Sequence, residues 1–174
     1  MATLLYSATA SLDGFIAGPG GDMSWLTEHL TGPDPTVERL LDRVGALLVG
    51  ARTFGGDDPN RGTDREGAFG GRYHGPVVVL THRPAAQAPP GVTFAGDLHD
   101  AVARARAAAG DGYVNVLGAD VARQCIEAGL LDEVLLFFAP VLLGDGVRVL
   151  DHPGGTQVRL EPLPGETAHW YRVR

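Results

Sequence analysis

The pattern that most restricts this chain is the alternation of short apolar runs with capped, amphipathic segments. Residues 3–10 read as a strand, followed by a Gly- and Pro-rich loop through Asp22. Asp34-Pro35 then marks a helix start, with Asp as N-cap and Pro at the first helical position. Val37, Leu40, Leu41 and Val44 follow at helical spacing, so that face packs inward. The apolar runs 46–49, 77–81, 92–94 and 113–117 have the length of buried strands. Asp97 caps a helix over 98–109, and a helix over 119–128 is closed by Gly129. Strands alternating with helices predict a largely parallel sheet covered on both faces.

Beyond residue 131 the pattern changes. Residues 132–143 form one long apolar segment, 158–163 a further strand, and 168–174 an alternating final strand. These predict antiparallel strands added at one edge. No internal repeat is visible, and 174 residues fit one mixed α/β domain over 1–174.

Composition removes several functions. All 14 residues counted as Lys or Arg are arginines, so there is no Walker-A lysine and no lysine to form a Schiff base with pyridoxal phosphate. Cys125 stands alone, which excludes a disulfide framework and a Cys-rich zinc site. The formal charge of −7 argues against nonspecific nucleic-acid binding. No apolar run reaches membrane-spanning length and the first residues resemble a strand, not a leader, so a cytoplasmic location is expected. There is no G-x-G-x-x-G, G-x-S-x-G or H-E-x-x-H string, and no metal site is expected.

In an open α/β sheet, ligands lie beyond the C-terminal ends of the strands. Three junctions there share a character. Gly50-Ala51-Arg52-Thr53 offers close backbone approach, a guanidinium and a hydroxyl. Thr81-His82-Arg83 follows the next strand. At Leu117-Gly118-Ala119-Asp120 a strand runs into a helix whose free N–H groups can cradle phosphate. Read singly, each is also an ordinary strand exit. Together they point to one nucleotide with a pyrophosphate. The polar stretch 55–76 is long enough to be a functional loop, and Asp57-Asp58 within it reads as a solvated turn.

With these residues in view, the chain resembles the dihydrofolate reductase-like superfamily. The nearest branch is the reductase domain of the riboflavin-pathway deaminase-reductase. The resemblance rests on Ser11-Leu12-Asp13-Gly14-Phe15-Ile16-Ala17 running to Met23-Ser24-Trp25-Leu26-Thr27, and on Gly50-Ala51-Arg52-Thr53 followed by Asp57-Asp58-Pro59. It is strongest over Gly129-Leu130-Leu131-Asp132-Glu133 and Pro140-Val141-Leu142-Leu143-Gly144-Asp145-Gly146.

The resemblance implies NADPH as hydride donor to a small heterocyclic, imine or carbonyl substrate, with a pyrimidine or a pterin as candidates. Thr9, Ile16, Ala17 and Trp25 would lie near the nicotinamide. Arg52, Thr53, Thr81, His82 and Arg83 would hold the phosphates and adenosine ribose, with Gly50 beneath them and Asp57 as a further contact. Leu117, Gly118, Ala119, Asp120 and Val121 would form the pyrophosphate-side helix start. Asp13 is the candidate general acid, and a homodimer is the expected assembly. Val116 and Met23 stand where the riboflavin-pathway enzymes place acidic and polar residues, so the substrate stays open. The alternative is a non-catalytic NADP(H)-binding protein, a sensor or an enzyme relic.

Overall fold

The odd- and even-numbered side chains of β1 (Thr3–Ser11) part to opposite faces, as the twofold period of a strand demands. Leu4, Tyr6 and Ala10 enter one core and Leu5 another. The computed structural model describes residues 1–29, 32–56, 58–152, 154, 157–164 and 169–174. Around β1 lie β3 (Val44–Gly50), β4 (Val77–Leu80), β5 (Val92–Ala95), β6 (Tyr113–Leu117) and β7 (Glu133–Ala139). With β9 (Leu160–Pro162) and β10 (His169–Val173) they make an eight-stranded sheet in the order β5-β4-β3-β6-β1-β7-β10-β9. Every pairing from β5 to β7 is parallel. The β7–β10 and β10–β9 pairings are antiparallel. The mixed, mostly parallel α/β fold expected from the alternation is the one observed.

Helices cover both faces. On one side α3 (Leu98–Ala109) and α4 (Ala119–Glu127) pack Ala101, Val102, Ala105, Val121, Ala122 and Cys125 against Leu4, Tyr6, Val114 and Val116. Burial pushes the Cys125 thiol up to about 12, so it stays an inert core group. On the other side α1 (Pro35–Leu41) lays Leu40 over Leu5, Tyr113, Leu135 and Trp170. The Asp34 carboxylate accepts the Thr36 and Val37 N–H groups at 2.7 and 3.3 Å, and Asp97 accepts Asp100 N–H at 3.0 Å. Both caps stand where the sequence places them.

Three features depart from expectation. The apolar run 132–143 is not one strand: β7 ends at Ala139, because Pro140 has no N–H to continue a ladder. The loop after β1 carries β2 (Phe15–Ala17), which pairs antiparallel with β8 (Val147–Arg148) in a separate two-stranded ribbon. Strands of two and three residues are too short to show a period. The segments Pro19–Gly21 and Ser24–His29 are 3-10 turns, and Ala51–Phe54 is a one-turn helix, α2. Among the described residues, no helix is long and apolar enough to cross a membrane.

Candidate functional site

A cleft of about 3150 Å³, open on its outer side, runs across the C-terminal ends of the parallel strands. Its floor is the face of the sheet that carries Ser7, Thr9, Val49, Leu117 and Phe137. All three junctions picked out in the sequence border this one cleft: Gly50, Arg52 and Thr53; Thr81, His82 and Arg83; and Leu117 through Val121. They could have been scattered over unrelated surfaces, and they are not.

The β3 and β6 tips touch. Gly118 has φ of 102°, and a Cβ there would run into the Thr53 hydroxyl oxygen. Only glycine suits that backbone and that distance. Gly118 is also the N-cap of α4, with no side chain to satisfy the first amides. The first helical bond back to it comes from Ala122 N–H at 3.1 Å. The N–H groups of Ala119, Asp120 and Val121 therefore face the cleft end of the helix without an intrahelical acceptor. The Asp120 carboxylate turns along its own helix, accepting from Arg123 and Gln124, each at 2.9 Å. The bond from Arg123 lowers its pKa most, and the Arg52 charge lowers it further, so Asp120 is ionised. Arg123 balances that charge and leaves the amides to an outside anion.

At the β4 tip, Thr81 N–H donates to Ala95 O at 2.8 Å, and its hydroxyl oxygen accepts the Arg83 N–H at 3.1 Å. This local turn leaves His82 and Arg83 exposed. Among the described residues the Arg83 guanidinium makes no hydrogen bond or ion pair. By contrast Arg72, on the loop wall, is held in two bonds to Glu38 at 2.8 and 2.9 Å.

The opposite wall is the β2–β8 ribbon, which brings Ile16 and Ala17 to the cleft. A Cβ on Gly146 would strike the Ala17 carbonyl oxygen, so the 144–148 segment lies directly on the wall-forming backbone. Asp13 holds that segment. Its Oδ1 accepts the Ser11 hydroxyl at 2.6 Å and Leu143 N–H at 3.1 Å, and its Oδ2 accepts Gly144 N–H at 2.7 Å. The bond from Ser11 first, then those from Leu143 and Gly144, bring its pKa down to about 2. Asp13 does not line the cleft, and at neutral pH it carries no proton. In this geometry Asp13 is a clamp between the two loops.

Trp25 does not border the cleft. In the turn Ser24–His29 the period of three residues turns Met23, Leu26 and His29 to the cleft. Trp25 falls off that face, its ring 6.1 Å from that of His29. Its Nε1 is buried with no partner among the described residues. Asp57 lies outside the described residues. Its neighbour Asp58 accepts Asn60 and Gly67 N–H groups, both at 2.7 Å, and so organises the loop 55–76.

Two cleft residues, Ser7 and Phe54, and one buried polar residue, Asn115, escaped the reading of the sequence. Ser7 was visible in principle, since a period of two places it with Thr9 on one face of β1. Phe54, on α2, offers a half-exposed ring. Asn115, in register with Leu5 and Leu47, is fully buried, and neither side-chain amide atom has a partner among the described residues.

A mostly parallel sheet with antiparallel edge strands, and a cleft across the strand tips, define a dihydrofolate reductase-like fold. The chain belongs to the RibD C-terminal domain family, whose model matches residues 2–168. Among solved structures, it is similar to a putative riboflavin biosynthesis protein from Shewanella sp. PV-4, with 24% identity and a TM-score of 0.74 over 100% of this chain and 99% of that one. A diaminohydroxyphosphoribosylaminopyrimidine deaminase/5-amino-6-(5-phosphoribosylamino)uracil reductase from Thermotoga maritima matches with 21% identity and a TM-score of 0.60, over 99% of this chain and 55% of that one. Dihydrofolate reductase from Enterococcus faecalis, solved with NADP(H), matches with 18% identity and a TM-score of 0.56, over 98% of this chain and 94% of that one. No curated protein matches the chain. Family and neighbours together suggest an oxidoreductase of the riboflavin-pathway type.

Proposed function

We propose that the protein is an NADPH-dependent reductase acting on a small heterocyclic, imine or carbonyl substrate, a pyrimidine or a pterin among the candidates. The observation that carries this reading is the meeting of Gly118, Thr53 and the open α4 amides in one cleft with Arg83. The donor set fits a phosphorylated dinucleotide: amides and a hydroxyl for the pyrophosphate, and an uncommitted guanidinium for a 2′-phosphate. The absent Cβ of Gly118 lets the Thr53 hydroxyl sit against the start of α4, beside the open amides.

In this reading Gly118, Ala119, Asp120 and Val121, with Leu117 before them, hold the pyrophosphate through backbone. Gly50, Arg52 and Thr53 flank it, and Thr81, His82 and Arg83 hold the ribose and its 2′-phosphate. Thr9, Ile16 and Ala17 form the nicotinamide wall. When bound, NADPH supplies a hydride to the substrate carbon. The chain's own task is to align the two rings and exclude water, with the β2–β8 ribbon and the loop 55–76 as walls. With Asp13 engaged by three donors away from the cleft, the substrate's proton is drawn from solvent.

The working unit is a homodimer in the cytoplasm, and light scattering giving a monomer mass rejects that assembly. Titration with NADPH and NADH, followed by nicotinamide fluorescence, and then NADPH oxidation across pterins, pyrimidines, imines and aldehydes, tests the activity. Saturable binding with turnover supports it. Binding without turnover of any class marks a non-catalytic NADP(H)-binding protein, and no binding removes the reading.

A further inference from the structure

We infer that Phe54 is the platform on which the purine base of the dinucleotide stacks, an assignment that rests on the reading above. Phe54 closes α2, directly after Arg52 and Thr53, and its side chain borders the cleft. It is a large aromatic left 42% exposed. An apolar ring of this size on a polar wall has a cost that a ligand's flat face would remove.

Its orientation is set from behind. Phe94, on the edge strand β5, meets it edge-to-face with ring centroids 6.3 Å apart and planes at 89°. Phe94 itself does not border the cleft. The Phe54 ring is thus braced by a neighbour that leaves the cleft side open.

Position along the sheet supplies the second argument. The strand order β6-β3-β4-β5 ranks the cleft contacts as Gly118 and the α4 amides, then Thr53, then Arg83, with Phe94 on β5 standing outside the cleft behind Phe54. From the β6 tip to the β4 tip is two strand spacings, about 10 Å, which is within the span of a nucleoside from its 5′-phosphate to its base. A pyrophosphate on the α4 amides with a 2′-phosphate at Arg83 puts the base against Phe54. Stacking reads the face of a base and not its edge, so it tolerates exchange of the base's exocyclic group.

The test measures affinity for NADPH and for 2′-phospho-ADP-ribose, which keeps the base, the 2′-phosphate and the pyrophosphate but lacks the nicotinamide. Phe54→Ala is expected to weaken both ligands by the same factor, about 10-fold, the scale of one stacked base. Phe54→Tyr keeps wild-type affinity, and the hypoxanthine analogue of NADPH binds the wild type as well as NADPH does. Thermal melting of each variant verifies folding. Wild-type affinity in Phe54→Ala overturns the inference while leaving the NADPH reading standing, and so does wild-type affinity in Phe54→Leu, which is apolar but cannot stack. Wild-type protein that takes up neither ligand overturns the reading and the inference together.

Discussion

The Asp13 carboxylate accepts the Gly144 backbone N–H at 2.7 Å across 131 positions of sequence. This bond, with its neighbour to Leu143, joins the turn after β1 to the loop after β7 and seats Gly146 on the Ala17 backbone. Two sequence strings that carry the family resemblance are thus the two halves of one device, which holds a wall of the cleft in place.

Replacing Asp13 with Asn keeps one acceptor but loses the other and loses the charge. Asp13→Asn is expected to lower the melting temperature at neutral pH and to weaken NADPH binding through the displaced wall. The sign of the pH dependence follows from the depressed pKa. The carboxylate's folded value is about 2 against an ordinary 3.8, so its stabilisation is complete above about pH 4 and lost as pH falls through 2. Melting curves of wild type and Asp13→Asn should differ from pH 4 upward and converge near pH 2. A difference that persists unchanged to pH 2 assigns the effect to packing.

Gly118→Ala should weaken dinucleotide binding at least 10-fold while leaving a folded protein. The added methyl meets the Thr53 hydroxyl and forces an L-residue to a φ of 102°, a strain of roughly 1–3 kcal/mol. Circular dichroism checks the fold, and NADPH titration should show at least a 10-fold loss of affinity. Binding as tight as wild type would remove this junction from the site.

Arg83→Ala should erase preference for NADPH over NADH. A bond between a guanidinium and a phosphate contributes about 1.5–3 kcal/mol, so NADPH affinity is expected to fall 10-fold or more with NADH affinity unchanged. Parallel titrations with the two cofactors decide it. Equal losses for both place Arg83 on the pyrophosphate instead.

Asn115→Leu should make the protein more stable. The amide is fully buried and finds no partner among the described residues, a burden of about 1–3 kcal/mol that a side chain of similar shape without polar atoms avoids. Urea denaturation should give a higher midpoint at an unchanged slope. A lower midpoint means that the amide is satisfied in solution.

The parts readable from the sequence are those governed by local rules. Asp34 and Asp97 announced their helices, and the apolar runs at 46–49 and 113–117 lie in central strands that are buried over most of their length. The three anion-ready junctions were found because Gly, Arg and Thr at strand exits have few other uses in combination. What stayed hidden depends on distant partners. The β2–β8 ribbon exists because Asp13 reaches Leu143 and Gly144, and no spacing rule contains that fact. Trp25 was placed by resemblance, and the period of a 3-10 turn put it on another face. Phe54 became visible only when the sheet order placed Phe94 behind it.

A crystal structure of the protein soaked with NADPH tests the central claim most directly. The account predicts one extended dinucleotide, its pyrophosphate against the N–H groups of Ala119 to Val121, its nicotinamide beside Thr9 and Ala17, and its 2′-phosphate at Arg83. A dinucleotide bound elsewhere, with Gly118 and Thr53 out of contact with it, would contradict the account.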